Sequence, residues 1–176
     1  MFALWAALVV VALIAVLAFA LVMVLARRLR AVTERVNMFL PASDRGLPHP
    51  GTPVPDFAAT SSEGAAVGAA DFARGTRVMA LLTTECASCH DQVAAIRDID
   101  GGARPIVLVI GRPERRAPMI ASLGGRPVVL EEEDGGPIAT AFDISEFPAV
   151  MLVNDGIIRA AGHGVAGVLA AAAAPA

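Results

Sequence analysis

Two thiols carry the chemistry available to this chain. Cys86 and Cys89 are its only cysteines, and they stand in the run Glu85-Cys86-Ala87-Ser88-Cys89-His90. A C-x-x-C spacing lets two sulfurs close a small disulfide ring, which makes the pair a redox device when it opens a helix. The same letters contain C-x-x-C-H, the attachment sequence of a c-type haem. Haem would bond both thiols, take His90 as proximal ligand and need a distal Met119, Met151 or His163. A third chemistry, copper carriage, would use Cys86, Cys89 and His163, since thiolate and imidazole suit soft metals. In a fourth reading the pair is merely structural.

The flanking patterns bear on this choice. Val78–Thr84 is an apolar, β-prone run and predicts a buried strand, and Cys86–Ile99 predicts a helix. Cys86 then falls in the first turn, where unpaired amides and the helix dipole stabilise a thiolate. Cys89, one turn on, is placed to attack a mixed disulfide on Cys86. His90, four residues after Cys86, would lower its pKa if protonated, whereas Glu85 and Asp91 would raise it. Beyond the pair, strands are expected at 56–60, 105–110, 127–130, 149–153 and 157–161. Helices are expected at 113–123, 137–142 and 164–173. Asn154-Asp155-Gly156 marks a tight hairpin. Strand–helix alternation followed by a hairpin implies an α/β fold with a mixed sheet and helices on its faces.

The first 26 residues carry no charged side chain. At about 1.5 Å rise per residue they exceed the roughly 30 Å hydrocarbon core of a bilayer, so residues 1–26 are expected to form a transmembrane helix contacting lipid. Residues 27–40 repeat apolar positions at helical period between arginines and suggest a juxtamembrane helix. Five prolines between Pro41 and Pro55 read as a stiff spacer, which puts the folded domain at 56–176. Of 14 basic and 17 acidic residues, Arg27, Arg28, Arg30, Arg35 and Glu34 lie in 27–40. The rest therefore carries ten arginines against sixteen acids, an acidic surface that offers nucleic acid nothing to bind. Lysine and tyrosine are absent, which excludes mechanisms needing either. The acidic run Glu131–Asp134 reads as a solvated strand end.

Glu146-Phe147-Pro148 precedes the apolar strand 149–153, and proline at a strand start removes no ladder donor. The order apolar strand, C-x-x-C, helix, strand, helix, Phe-Pro strand, D-G hairpin resembles the thioredoxin superfamily over about residues 51–172. That resemblance implies a cis Phe147–Pro148 bond beside the cysteines, with Phe147 and Pro148 guiding a substrate strand across Cys86. Val54-Pro55-Asp56-Phe57 and the Asp134-Gly135-Gly136 insert look like the membrane-anchored TlpA branch. The span with its trailing arginines is similar to the MauD proteins of methylamine utilisation, implicated in disulfide handling during dehydrogenase maturation. Two positions depart from the family pattern. Glu85 replaces the usual aromatic residue before the first cysteine, and Ala80 stands where thioredoxins bury an acid that helps deprotonate the second thiol.

The function expected is a membrane-tethered thiol–disulfide oxidoreductase. Cys86 attacks, Cys89 resolves, and Glu85 and His90 are candidate modulators. No cofactor beyond the dithiol and no metal is required. Its partners are protein thiol or disulfide clients and a second protein that resets the pair. Arginines directly after the span argue that the domain faces the cytoplasm. The resemblance and the need for disulfide exchange in oxidising compartments argue for the outer side, and the outer side is the expectation adopted.

Overall fold

Consecutive residues of a strand point to opposite faces of a sheet, so a strand that is apolar throughout must be covered on both sides. Two such runs make the centre of this fold. The computed structural model describes residues 46–100 and 102–173. In it Thr76–Thr83 forms β3 and Ile106–Ile110 forms β4, and all five residues of β4 are buried. Around them stand β5 (Val128–Glu132), β6 (Ala149–Asn154) and β7 (Ile157–Gly162), in the spatial order β5-β4-β3-β6-β7. Strands β3, β4 and β5 run parallel, and β6 and β7 are antiparallel. A separate antiparallel pair, β1 (Ala58–Thr60) and β2 (Ala66–Gly68), precedes them.

Helices cover the sheet, and the pleat divides the core in two. Val78, Ala80 and Leu82 of β3 face a cluster built with Cys89, Val93, Ile96, Met119, Leu123, Val165 and Val168. These come from α1 (Ala87–Arg97), the helix α2 (Pro113–Ser122) and its end, and α4 (Val165–Ala173). Met79 and Leu81 face the other way, onto Phe72, Ile138 and Phe142. That side is closed by a short 3-10 helix (Ala69–Phe72) and α3 (Pro137–Ala141). Phe57 stacks at a tilt on both Phe72 and Phe142, with centroids 6.3 and 5.7 Å away. Fully burying each such side chain stabilises the fold by about 1.5–3 kcal/mol.

The expected α/β mixed sheet with flanking helices is present, with differences that have physical reasons. The hairpin turn is Asp155-Gly156, both at positive φ (49° and 76°), the backbone that a two-residue turn between twisted strands demands. β2 and the 3-10 helix were not anticipated, because Ala66–Phe72 is short and rich in small residues. From residue 46 onward, the expected spacer packs along β7. Leu47 is buried, Ile158 N donates to Thr52 O at 2.9 Å, Gly51 N to Ile158 O at 2.7 Å, and Val54 N to Gly156 O at 2.9 Å. Glu132, expected to be solvated, is buried. Its carboxylate accepts the Ile138 and Ala139 amides at 2.7 and 3.1 Å and so caps α3. The apolar segment 1–26 and the helix expected at 27–40 lie outside the described residues. Among the described residues no helix is long and apolar enough to cross a membrane.

Candidate active site

Strand β3 ends where the chain must turn over the sheet into α1. The Thr84 amide donates to Ile110 O at 3.0 Å, and the next residues lift Cys86 to the helix cap. Cys86 is the N-cap residue of α1, with extended backbone (φ −105°, ψ 117°). Ser, Thr, Asp and Asn favour that position because a side-chain acceptor satisfies an orphan amide. Here sulfur takes the part: the Cys89 amide donates to Cys86 Sγ at 3.3 Å. Ser88 Oγ lies 3.0 Å from the same sulfur.

The two thiols, both free, occupy unlike places. Cys86 is half-buried, and Cys89 has no exposed surface. Burial works to raise the Cys86 pKa, but the hydrogen bonds from Cys89 and Ser88 together outweigh it and hold the thiol below its ordinary value of 9.0. Cys89 moves the other way. Burial first, then its hydrogen bond to Cys86, push it up to about 12 against a weaker opposing contact with Thr83. The half-buried sulfur is therefore the more readily ionised of the two, and the buried one holds its proton.

Phe147–Pro148 closes the site from the far end of the sequence. The bond is cis, and the Phe147 carbonyl lies 3.6 Å from Cys86 Sγ. The half-buried Phe147 side chain packs against both core clusters. Register explains the approach: β6 pairs with β3, with Ala149 opposite Leu81, so the residues preceding β6 stand beside the turn that follows β3.

Glu85 and His90, the candidate modulators, flank the cap but face elsewhere. Glu85 pairs with Arg115 of α2, at 2.7 and 2.9 Å, in an exposed position where such a pair is worth under about 1 kcal/mol. His90 Nε2 lies 3.5 Å from the Thr84 carbonyl. The groups that shift Cys86 are Cys89 and Ser88. Ser88 is the residue that sequence reasoning missed; its signal was a hydroxyl at the second helical position behind an N-cap thiol.

Met119 and Met151, candidate distal haem ligands, are buried on opposite faces of the sheet. The zero exposure of Cys89 leaves no edge for a porphyrin thioether. His163 Nδ1 lies 2.8 Å from the Pro148 carbonyl. Among the described residues no group of three His, Cys, Asp or Glu side chains is arranged to hold a metal ion. Ala80, buried in the cluster that holds Cys89, provides no carboxylate beneath it.

No family model matches the sequence, and no curated protein does. Solved structures do match its fold. A Chlorobium tepidum protein assigned as thiol:disulfide interchange protein DsbE aligns with TM-score 0.60 at 16% identity, over 71% of this chain and 99% of its own. A thio-disulfide isomerase from Thermus thermophilus aligns with TM-score 0.54 at 20% identity, over 72% and 99%. A secreted disulfide oxidoreductase from Mycobacterium tuberculosis, homologous to DsbE of E. coli, aligns with TM-score 0.53 at 16% identity, over 62% and 84%. At these identities the likeness is one of fold. The domain has the thioredoxin-like fold, with its two cysteines at the start of the helix that follows the central strand.

Proposed function

We propose that this chain is a membrane-tethered thiol–disulfide oxidoreductase that exchanges disulfides with protein clients. One observation carries the reading: a half-buried thiol caps a helix within 3.6 Å of the Phe147 carbonyl, while its partner lies buried one turn below. The Cys86 thiolate attacks one sulfur of a client disulfide. That S–S bond breaks, one client sulfur leaves as thiolate and takes a proton, and the other stays bonded to Cys86. Cys89 then loses its proton and attacks Cys86 Sγ. The second client thiol departs, and an internal Cys86–Cys89 disulfide remains. The client has gained two electrons and the pair has lost them. A resetting partner restores the dithiol, or in the opposite direction the internal disulfide oxidises a client.

The apolar first 26 residues support a tether, and the redox neighbours support placing the domain outside the membrane. The similarity of the span and its arginines to MauD proteins supports a role in maturing envelope redox proteins. Cys89 has no buried acid to take its proton, so the second step is slow and the mixed disulfide long-lived. That favours dedicated clients over general reduction.

Trapping tests this. With Cys89→Ser in the full chain in its native membrane, Cys86 is expected to retain a client as a covalent adduct that dithiothreitol releases. An unreactive Cys86, unmodified by iodoacetamide at neutral pH and carrying no adduct, would sink the reading.

A further inference from the structure

The loop after β7 is tied to both sides of the candidate site. Gly162 pairs with Val150 across β6 and β7, which sets the next residue, His163, beside the start of β6. There His163 Nδ1 lies 2.8 Å from the Pro148 carbonyl. A carbonyl can only accept, so Nδ1 carries the proton and donates it. Nε2 faces the Glu146 carboxylate at 3.5 Å. The imidazole therefore holds the residue after Phe147 by its carbonyl, and it attracts the Glu146 carboxylate only when both ring nitrogens carry protons. Two residues further on, the Val165 amide donates to Gln92 Oε1 at 3.0 Å. Gln92 belongs to α1, the helix that Cys86 caps, so the same short loop is pinned to the cysteine helix and to the Phe147 peptide.

What it pins is a backbone with spare capacity. Among the described residues the Phe147 amide has no hydrogen-bond partner, and its carbonyl meets only the Cys86 sulfur. A free amide and carbonyl on one residue can pair with an extended peptide as a strand does. Such pairing requires that the peptide plane be fixed before the client arrives, because ordering it on binding weakens the association.

We infer that His163 is a positioning residue for client docking: by donating to the Pro148 carbonyl it presents the Phe147 backbone to an extended cystine-bearing peptide. The inference rests on the thiol–disulfide reading above and deepens it. His163 makes no hydrogen bond to either sulfur. It governs how a peptide is seated over Cys86, not how Cys86 attacks.

Two probes with the same leaving group separate these effects in the reduced full chain in detergent. One is an extended peptide whose single cysteine is disulfide-bonded to thionitrobenzoate; the other is the symmetrical bis-nitrobenzoate disulfide. In both, Cys86 displaces thionitrobenzoate as a coloured thiolate and takes the other half as a mixed disulfide. Cys89 then resolves it, releasing the peptide thiol or a second thionitrobenzoate; the first release is the one timed. His163→Leu is expected to raise the half-saturating peptide concentration roughly tenfold, the effect of about 1.4 kcal/mol, and to leave the limiting rate and the small-disulfide rate unchanged. His163→Asn keeps a donor near the Nδ1 position and is expected to recover most of the loss. Equal slowing of both probes, no change with the peptide, or no recovery by asparagine overturns the inference while leaving the oxidoreductase reading standing. Failure of the unaltered protein to react with either probe overturns both.

Discussion

The two faces of the central sheet are made of different materials. One face is aromatic: Phe57, Phe72 and Phe142 meet there, joined by Met79, Leu81 and Met151. The face that holds Cys89 is aliphatic, a layer of Val78, Leu82, Val93, Ile96, Val109 and Val150. Large rings anchor a fold but demand shape-specific packing. Small branched residues make a dry, low-polarity floor that keeps a thiol protonated. The chain thus separates stability from reactivity by face, and Phe147, in contact with both clusters, is where they meet.

That separation can be broken experimentally. Phe72→Ala removes a fully buried ring from the aromatic face and is expected to cost about 3–5 kcal/mol in denaturant unfolding. The rate at which Cys86 is alkylated should not change wherever the variant remains folded. A change in that rate would show the faces to be coupled.

A smaller effect sharpens the contrast from the other side. The Cys89 thiol is raised in the fold from 9.0 to about 12. A group whose folded pKa lies above its unfolded value contributes stability that is complete below the unfolded value and is lost as pH climbs toward the folded one. The reduced protein should therefore lose about 1.4 kcal/mol per pH unit between pH 9 and 12 from this thiol alone. Comparing alkaline unfolding of the reduced chain with Cys89→Ala isolates the contribution, and identical slopes would refute it.

The smallest effect concerns Ser88. Ser88→Ala removes one of the two side-chain hydrogen bonds that lower the Cys86 pKa. The alkylation profile of Cys86 should move to higher pH, since the thiolate loses an acceptor interaction that the neutral thiol needs less. A profile that stays in place would assign the thiolate's stabilisation to the Cys89 thiol and the backbone amides of Ser88 and Cys89.

Much of this was legible in the sequence because its signals are local. A cysteine pair between an apolar run and a helical one, a proline opening a strand and an Asp-Gly turn each state their conformation within a few residues. What stayed hidden depends on distant partners. Glu132 sits in an acidic run that looks solvated, and only the insert folding α3 back onto β5 turns its carboxylate into a buried cap. The prolines of 46–55 suggest a spacer by composition, yet between them the Gly51 amide bonds to β7 and the Val54 amide to the hairpin turn before it. His163 stands between two glycines in what reads as an open loop, and strand register alone brings it to Pro148. Ser88 was visible as a hydroxyl, but its significance waited on knowing that Cys86 is the cap.

The backbone of 46–55 has one more consequence. It forms a bridge from Pro53 to Ile157 along the outer side of β7. At the opposite margin the Ser62 amide donates to Val129 O on β5 at 2.8 Å. Exposed strand margins are templates on which identical chains polymerise, and proline-bearing cover is a way natural sheets prevent it. Both flanks of this sheet are thus partly covered by the chain's own backbone. The covered stretches of its two edge strands are thereby kept from templating the strands of neighbouring copies.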